Sequence, residues 1–205
     1  MPRTAPAEAP RAWQRMLSGR RLDLLNPSAL DIEIDDIAHG LARVARWNGQ
    51  TRGDHAFSVA QHCVLVAEIA RHVDPTLVRT GRLIALLHDA PEYVIGDMIS
   101  PFKAALGLDY KAFENRLLAA IHMRFGVPAA MAQRLEAFTK SCDRMAAFLE
   151  ATQLAGFSLT ESVKFFGKPR GLDGEGSERF GRLSPLPATA AAEAYRLMFQ
   201  NLVAP

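Results

Sequence analysis

The 205-residue chain predicts an all-α, single-domain helical bundle, on three observations. Apolar residues recur every three to four positions through most of the chain, which is the helical period. Helix start and stop signals bracket these stretches: Ser58 before Val59, Asp74-Pro75 after Val73, Gly126-Val127-Pro128 between two apolar stripes. The length suits one domain with one large core, and neither internal repeats nor a domain linker interrupts it.

Taken in order, residues 1–12 are Pro/Ala-rich and are expected to form a disordered tail, with the single domain spanning 13–205. Asp31-Ile32-Glu33-Ile34 alternates like a strand but has no hairpin partner, so it reads as an extended lead-in. Asp35 or Asp36 then caps a helix through Ile37, Leu41, Val44 and Ala45 to Trp47, stopped by Asn48-Gly49. A polar loop covers 50–56. The next helix starts at the N-cap Ser58 and runs to Val73, and the one after it covers about Leu77 to His88. Pro91 perturbs that end, and Gly96-Asp97 opens a loop toward Pro101. Asp109 caps a helix with Phe113, Leu117, Ile121 and Phe125 on one stripe. Pro128 suits a first helical turn and opens a long helix carrying Leu135, Phe138, Cys142, Met145 and Leu149. Residues 168–182, rich in Gly and charge, read as a mobile loop, and 188–202 as a last helix.

The formal net charge is +2 with both signs interspersed, too small an excess to imply nucleic-acid or membrane binding. No apolar run approaches a membrane span and the amino terminus has no signal-peptide h-region, so a cytoplasmic protein is expected. The two cysteines, Cys63 and Cys142, fall in apolar helical windows and read as reduced, buried, space-filling residues.

Chemistry concentrates in His62, His88, Asp89 and Asp143, each within a predicted apolar-periodic helix or at its end. His88-Asp89 closes the run Leu83-Ile84-Ala85-Leu86-Leu87, where a carboxylate costs desolvation unless something compensates it. Any one of the four is as readily a core histidine, a buried ion pair or a cap. Together, two imidazoles and two carboxylates make an inner shell for one divalent cation. Glu92 follows His88 by four and Asp89 by three, which puts a carboxylate beside that shell as a general base, or else a surface residue at a fraying helix end. Asp97 after Gly96 is either part of the site or a turn residue. Arg46, Trp47 and Lys103 are candidate substrate-binding groups: Arg for bidentate phosphate contact, Trp as a flat wall for a sugar or base. His39 and Arg43 could line the same pocket, His55 and His72 read as exposed, and His122 as a partly buried structural histidine.

Arg46-Trp47, Ser58-Val59-Ala60-Gln61-His62, Leu87-His88-Asp89-Ala90-Pro91-Glu92, Gly96-Asp97, Ser100-Pro101-Phe102-Lys103 and Lys140-Ser141-Cys142-Asp143 together resemble the HD-domain metal-dependent phosphohydrolases, and within them the bacterial 5′-deoxynucleotidase branch. The motifs span about 37–155. The resemblance implies a helical bundle around one divalent ion (Co, Mn, Zn, Mg or Fe) held by His62, His88, Asp89 and Asp143. It implies that Glu92 and Asp97 assist the water and the leaving group, that Arg46 binds phosphate and that Trp47 lies by the deoxyribose. A homodimer with a small nucleotide substrate completes the expectation. Gln61 stands where the deoxynucleotidases carry Glu, the loop 48–57 differs, and 156–205 carries no matching motif.

The leading expectation is a phosphomonoesterase on (deoxy)ribonucleoside 5′-monophosphates. An HD-type hydrolase of nucleoside di- or triphosphates or alarmones calls for more basic groups than Arg46 and Lys103. A two-iron HD-fold oxygenase calls for further His ligands between Asp89 and Asp143, where only His122 is available. A non-catalytic metal-binding regulatory module would be expected to have lost ligands that this chain retains.

Overall fold

The computed structural model describes residues 12–98 and 110–204. Among them the fold is all-α apart from one two-stranded antiparallel hairpin, β1 (Trp13–Arg15) with β2 (Arg21–Asp23). The helices are α1 (Ile34–Leu41), α2 (Val59–Val73), α3 (Arg79–Leu87), α4 (Glu92–Ile95), α5 (Tyr110–Arg124), α6 (Ala129–Gln153), α7 (Leu159–Phe166), α8 (Glu175–Phe180) and α9 (Ala188–Val203). Residues 1–11 of the tail expected at 1–12, the cap at Asp109 and the motif Ser100-Pro101-Phe102-Lys103 lie outside the described residues.

Helix α2 is the central pole. Its buried positions, from Val59 and Ala60 through Cys63, Leu65, Val66 and Ala67 to Ile69 and Ala70, fall on nearly every face, the pattern of a helix enclosed on all sides. It packs against α3, α6, α9 and α1. Its boundaries follow the sequence: the Ser58 side chain accepts from the Gln61 amide, and Asp74 closes the last turn. Helix α9 supplies the opposite wall against α1, α2 and α3, with Tyr195 fully buried and its hydroxyl donating to Leu86 O at 3.3 Å.

Several elements differ from expectation. Helix α1 begins at Ile34, after Glu33 as N-cap, and ends at Leu41 rather than continuing to Trp47. The chain leaves it to make an antiparallel bridge between Ala45 and Ser58, with Val59 N donating to Val44 O at 2.9 Å and Arg46 N to Phe57 O at 2.8 Å. Main-chain pairing with the start of α2 thus outcompetes another helical turn. The helix expected to end at His88 ends at Leu87, and Glu92 begins a separate short helix, α4. Pro91 cannot give its nitrogen a proton to donate, so α3 cannot pass through it. Helix α7 was not anticipated, although Ser158 and Glu161 form a capping box at its start.

Residues 168–182, expected to be a loop, contain α8 and bury Leu172 and Phe180. Gln153 pins this stretch from α6, donating to Phe180 O at 2.9 Å and accepting from Leu183 N at 2.7 Å. Arg179 pairs with Glu68 on α2. Gln61 clamps the next segment in the same way, donating to Ser184 O and accepting from Leu186 N. That two-way clamp uses an amide; a Glu there would have no N–H for Ser184.

Candidate metal centre

Helix α2 carries one buried histidine, His62, whose side chain is wholly enclosed. The end of α3 brings His88 and Asp89 to it, and α6 brings Asp143. The imidazole rings of His62 and His88 lie with centroids 5.2 Å apart. One ligand atom each from His62, His88 and Asp143 falls within 4.8 Å of the others, close enough for one ion to be shared among them. Asp89 stands against both rings, with Oδ2 3.2 Å from His88 Nε2 and 3.5 Å from His62 Nε2, while Asp143 Oδ1 is 3.2 Å from His62 Nε2.

Both Nε2 atoms are buried, and neither has a partner of hydrogen-bonding geometry despite the nearby oxygens. Buried polar atoms are rarely left so. Four groups that crowd together without satisfying each other fit a divalent cation as the partner they share, since His nitrogen and carboxylate oxygen both suit such ions. The other ring nitrogens are already committed. His88 Nδ1 lies 2.8 Å from Ala85 O, and His62 Nδ1 lies 2.6 Å from Glu150 Oε1. A proton on Nδ1 leaves Nε2 with its lone pair toward the cluster.

Electrostatics follows the same grouping. Burial pushes the carboxyls of Asp89 and Asp143 up, but the His88 and His62 imidazoles outweigh it and hold both below the ordinary carboxylate range. Burial and, for His62, the Arg46 cation pull the imidazoles down, and the surrounding carboxylates raise both above the ordinary histidine value. Burial pushes Cys142, beside Asp143, up to about 12, so it stays a thiol. Both cysteines are free and buried, as expected.

A second cluster adjoins the first. Residues 46–49 form a 3-10 turn in which Trp47 (φ 56°) and Asn48 (φ 50°) both adopt left-handed backbone. Asn tolerates this; for Trp it is a strained conformation that costs roughly 1–3 kcal/mol and persists only when its surroundings impose it. Those surroundings are visible. The indole packs on Phe157 and Phe166 at 5.5 and 5.7 Å, and its Nε1 donates to Glu150 Oε2 at 2.9 Å. Arg46 reaches Glu150 Oε2 through Nε and Asp97 Oδ2 through an Nη, both at 3.2 Å. Burial would pull the guanidinium down; Glu150 and Asp97 hold it firmly cationic.

The structure therefore brings together His62, His88, Asp89 and Asp143, and sets Arg46, Trp47 and Asp97 beside them. Glu92 is 2% exposed, not a surface residue. His39 and Arg43 instead line a separate cleft with Ser18, Arg20 and Arg196. His55 is exposed, and His72 is half-buried with its ring against Phe180. His122 is half-buried on α5 and does not join the ligand group among the described residues. Glu150 is the residue that sequence reasoning missed. It follows Asp143 by seven, two turns along the same face, and interrupts the apolar run Phe148-Leu149-Glu150-Ala151. That is the same signal that marks Asp89.

Comparison with known proteins finds kinship without an assigned activity. A protein of Rhodobacter capsulatus, described as uncharacterized, is 59% identical over 159 residues, which are 78% of this chain and 81% of its own length. The uncharacterized protein YfdR of Escherichia coli (strain K12) is 36% identical over 101 residues, 49% of this chain and 51% of its own. No family model matches the chain.

Proposed function

This chain belongs to one family with the Rhodobacter capsulatus protein, and we propose that it is a metal-dependent phosphohydrolase of the HD type acting on (deoxy)ribonucleoside 5′-monophosphates. The observation that carries this reading is the convergence of His62, His88 and Asp143 within 4.8 Å around two buried, unsatisfied Nε2 atoms, directly beside an Arg–Asp pair. In this reading His62, His88, Asp89 and Asp143 hold one divalent cation. Such a cation supplies a Lewis acid for a phosphoryl oxygen and lowers the pKa of the attacking water.

The chain's own residues do the rest. Glu92 takes or steers the proton of the attacking water. Arg46 faces the phosphoryl charge in this reading: of its five N–H groups, the pairs with Glu150 and Asp97 engage two, and the guanidinium fork suits phosphate oxygens. Asp97 fixes Arg46 and assists the leaving nucleoside oxygen. Trp47, held by its indole nitrogen and by two phenylalanines, packs against the sugar and discriminates by shape, worth about 10²-fold against one extra hydroxyl. Lys103 is the further cation of this reading, and a homodimer its assembly.

The test is phosphate release from nucleoside mono-, di- and triphosphates by metal-stripped protein reloaded with Co, Mn, Zn, Mg or Fe. Release from 5′-monophosphates that requires metal is the expected result. Glu92→Ala should then keep its metal and turn over about 10²–10⁴-fold more slowly. Release confined to di- or triphosphates, or none from any nucleotide, overturns the proposal.

A further inference from the structure

Glu150 touches both halves of the site. It is wholly buried on α6, with Oε1 2.6 Å from His62 Nδ1 and Oε2 accepting from Trp47 Nε1 at 2.9 Å and Arg46 Nε at 3.2 Å. A carboxylate enclosed to that degree is costly unless its oxygens are satisfied. Here one oxygen serves the metal side and the other serves the substrate side.

We propose that Glu150 is a positioning residue that ties the imidazole of His62 to the pair Arg46–Trp47, so that a single carboxylate sets both the affinity for metal and the shape of the adjoining pocket. Only the substrate half of this inference rests on the phosphohydrolase reading; the metal half needs no turnover.

The chemistry of the three contacts supports the tie. Each partner offers an N–H, and Glu150 only accepts. Accepting from Nδ1 fixes the His62 tautomer and ring angle, and makes Nε2 a better electron donor toward an ion. Accepting from the indole holds Trp47 in a left-handed conformation that a bulky side chain otherwise avoids. Accepting from Nε fixes the Arg46 fork in the orientation in which an outer nitrogen donates to Asp97. A change in charge or position at His62 is thereby felt on the other oxygen of the same rigid carboxylate, one bond network away. Glutamine has nearly the same shape but one acceptor atom, and its NH₂ must face either the His62 N–H or the Trp47 and Arg46 donors. Glu150→Gln therefore cannot satisfy all three contacts.

The experiment uses metal-free full-length protein and zinc alone, and reads affinity by chelator competition. It also reads the indole ¹H–¹⁵N resonances, of which the chain's two tryptophans give two. Trp13→Phe assigns the Trp47 line, and Trp13, in the amino-terminal hairpin, is the internal reference. In the wild type, zinc saturation should move the Trp47 line and leave the Trp13 line in place. Glu150→Gln should bind zinc about 10–100-fold more weakly, the usual loss for a missing partner behind a ligating histidine, and its Trp47 line should no longer respond. A folded Glu150→Gln protein with unchanged zinc affinity overturns the inference. So does a wild-type Trp47 line that stays still at zinc saturation, a measurement that stands even where the variant does not fold. Wild-type protein that takes up no zinc or any other of the reloading metals overturns the proposed function as well.

Discussion

At the scale of single residues, the site is read from misplaced polarity. His88 and Asp89 were legible in the sequence because they close an apolar run that has no surface role, whereas Asp143, between Lys140 and Arg144, was legible only through its place in the motif series. Asp89 is the most exacting case. Its oxygen lies within 3.5 Å of both imidazoles, yet the group whose ligand atoms all fall within 4.8 Å of one another is His62, His88 and Asp143. If it completes the inner shell, Asp89→Ala should remove metal and cut turnover by several orders of magnitude, with elemental analysis beside a phosphate-release assay as the check. An Asp89→Ala protein that keeps stoichiometric metal and full rate would remove it from the shell. Glu150 was not legible by the same logic only because its partners are invisible in sequence: Arg46 lies 104 positions away, Trp47 103 and His62 88. A lone carboxylate in an apolar helix asks for a donor but does not say which one.

At the scale of elements, what was legible was whatever local chemistry fixes. Helix α2 has the predicted ends because Ser58 caps one and Asp74-Pro75 stops the other. Helix α1 was overextended because its continuation is decided by a long-range event, the bridge between Ala45 and Ser58. The hairpin was missed because three-residue strands give almost no alternation, with Leu22 the one buried side chain; Arg21 over the Trp13 ring at 4.4 Å adds a contact that no periodicity reveals. Helix α7 offers a test of a local signal. The Glu161 carboxyl lies below its ordinary 4.5 because the Ser158 hydroxyl, then the Ser158 amide, donates to it. A carboxyl depressed in the folded state stabilises at pH above its unfolded value, and that contribution is lost as pH falls through the lowered one. Amide-exchange protection in α7 should therefore decline on acidification through and below that range. Glu161→Ala should lower protection at neutral pH and abolish this acid dependence; an unchanged profile would show that the box contributes nothing.

At the scale of the molecule, the candidate centre lies where α2, α3 and α6 meet, so an ion held there would link metal binding to the fold. An ion that binds the native state alone stabilises it by about 2.7 kcal/mol at a hundredfold excess over its Kd, or roughly 5–10 °C in Tm for a chain of this size. Chelation should lower Tm by that amount and readdition should restore it. The gain should shrink as pH is lowered, because protons compete with the metal for His62 and His88. A thermal scan of stripped and reloaded protein at two pH values decides it; identical Tm values would separate the centre from the fold.

The left-handed turn at Trp47 and Asn48 has a consequence in time. Its anchor, Glu150, is translated about a hundred residues after Arg46. On a growing chain, the strained turn thus has nothing to hold it, and His62 has no carboxylate behind it. Closing a loop of that length costs entropy that only the finished bundle repays. The centre is therefore a late product of folding rather than a seed for it. Any ion offered to the growing chain would meet scattered imidazoles and carboxylates until α6 docks, and a gathered ligand set only afterwards.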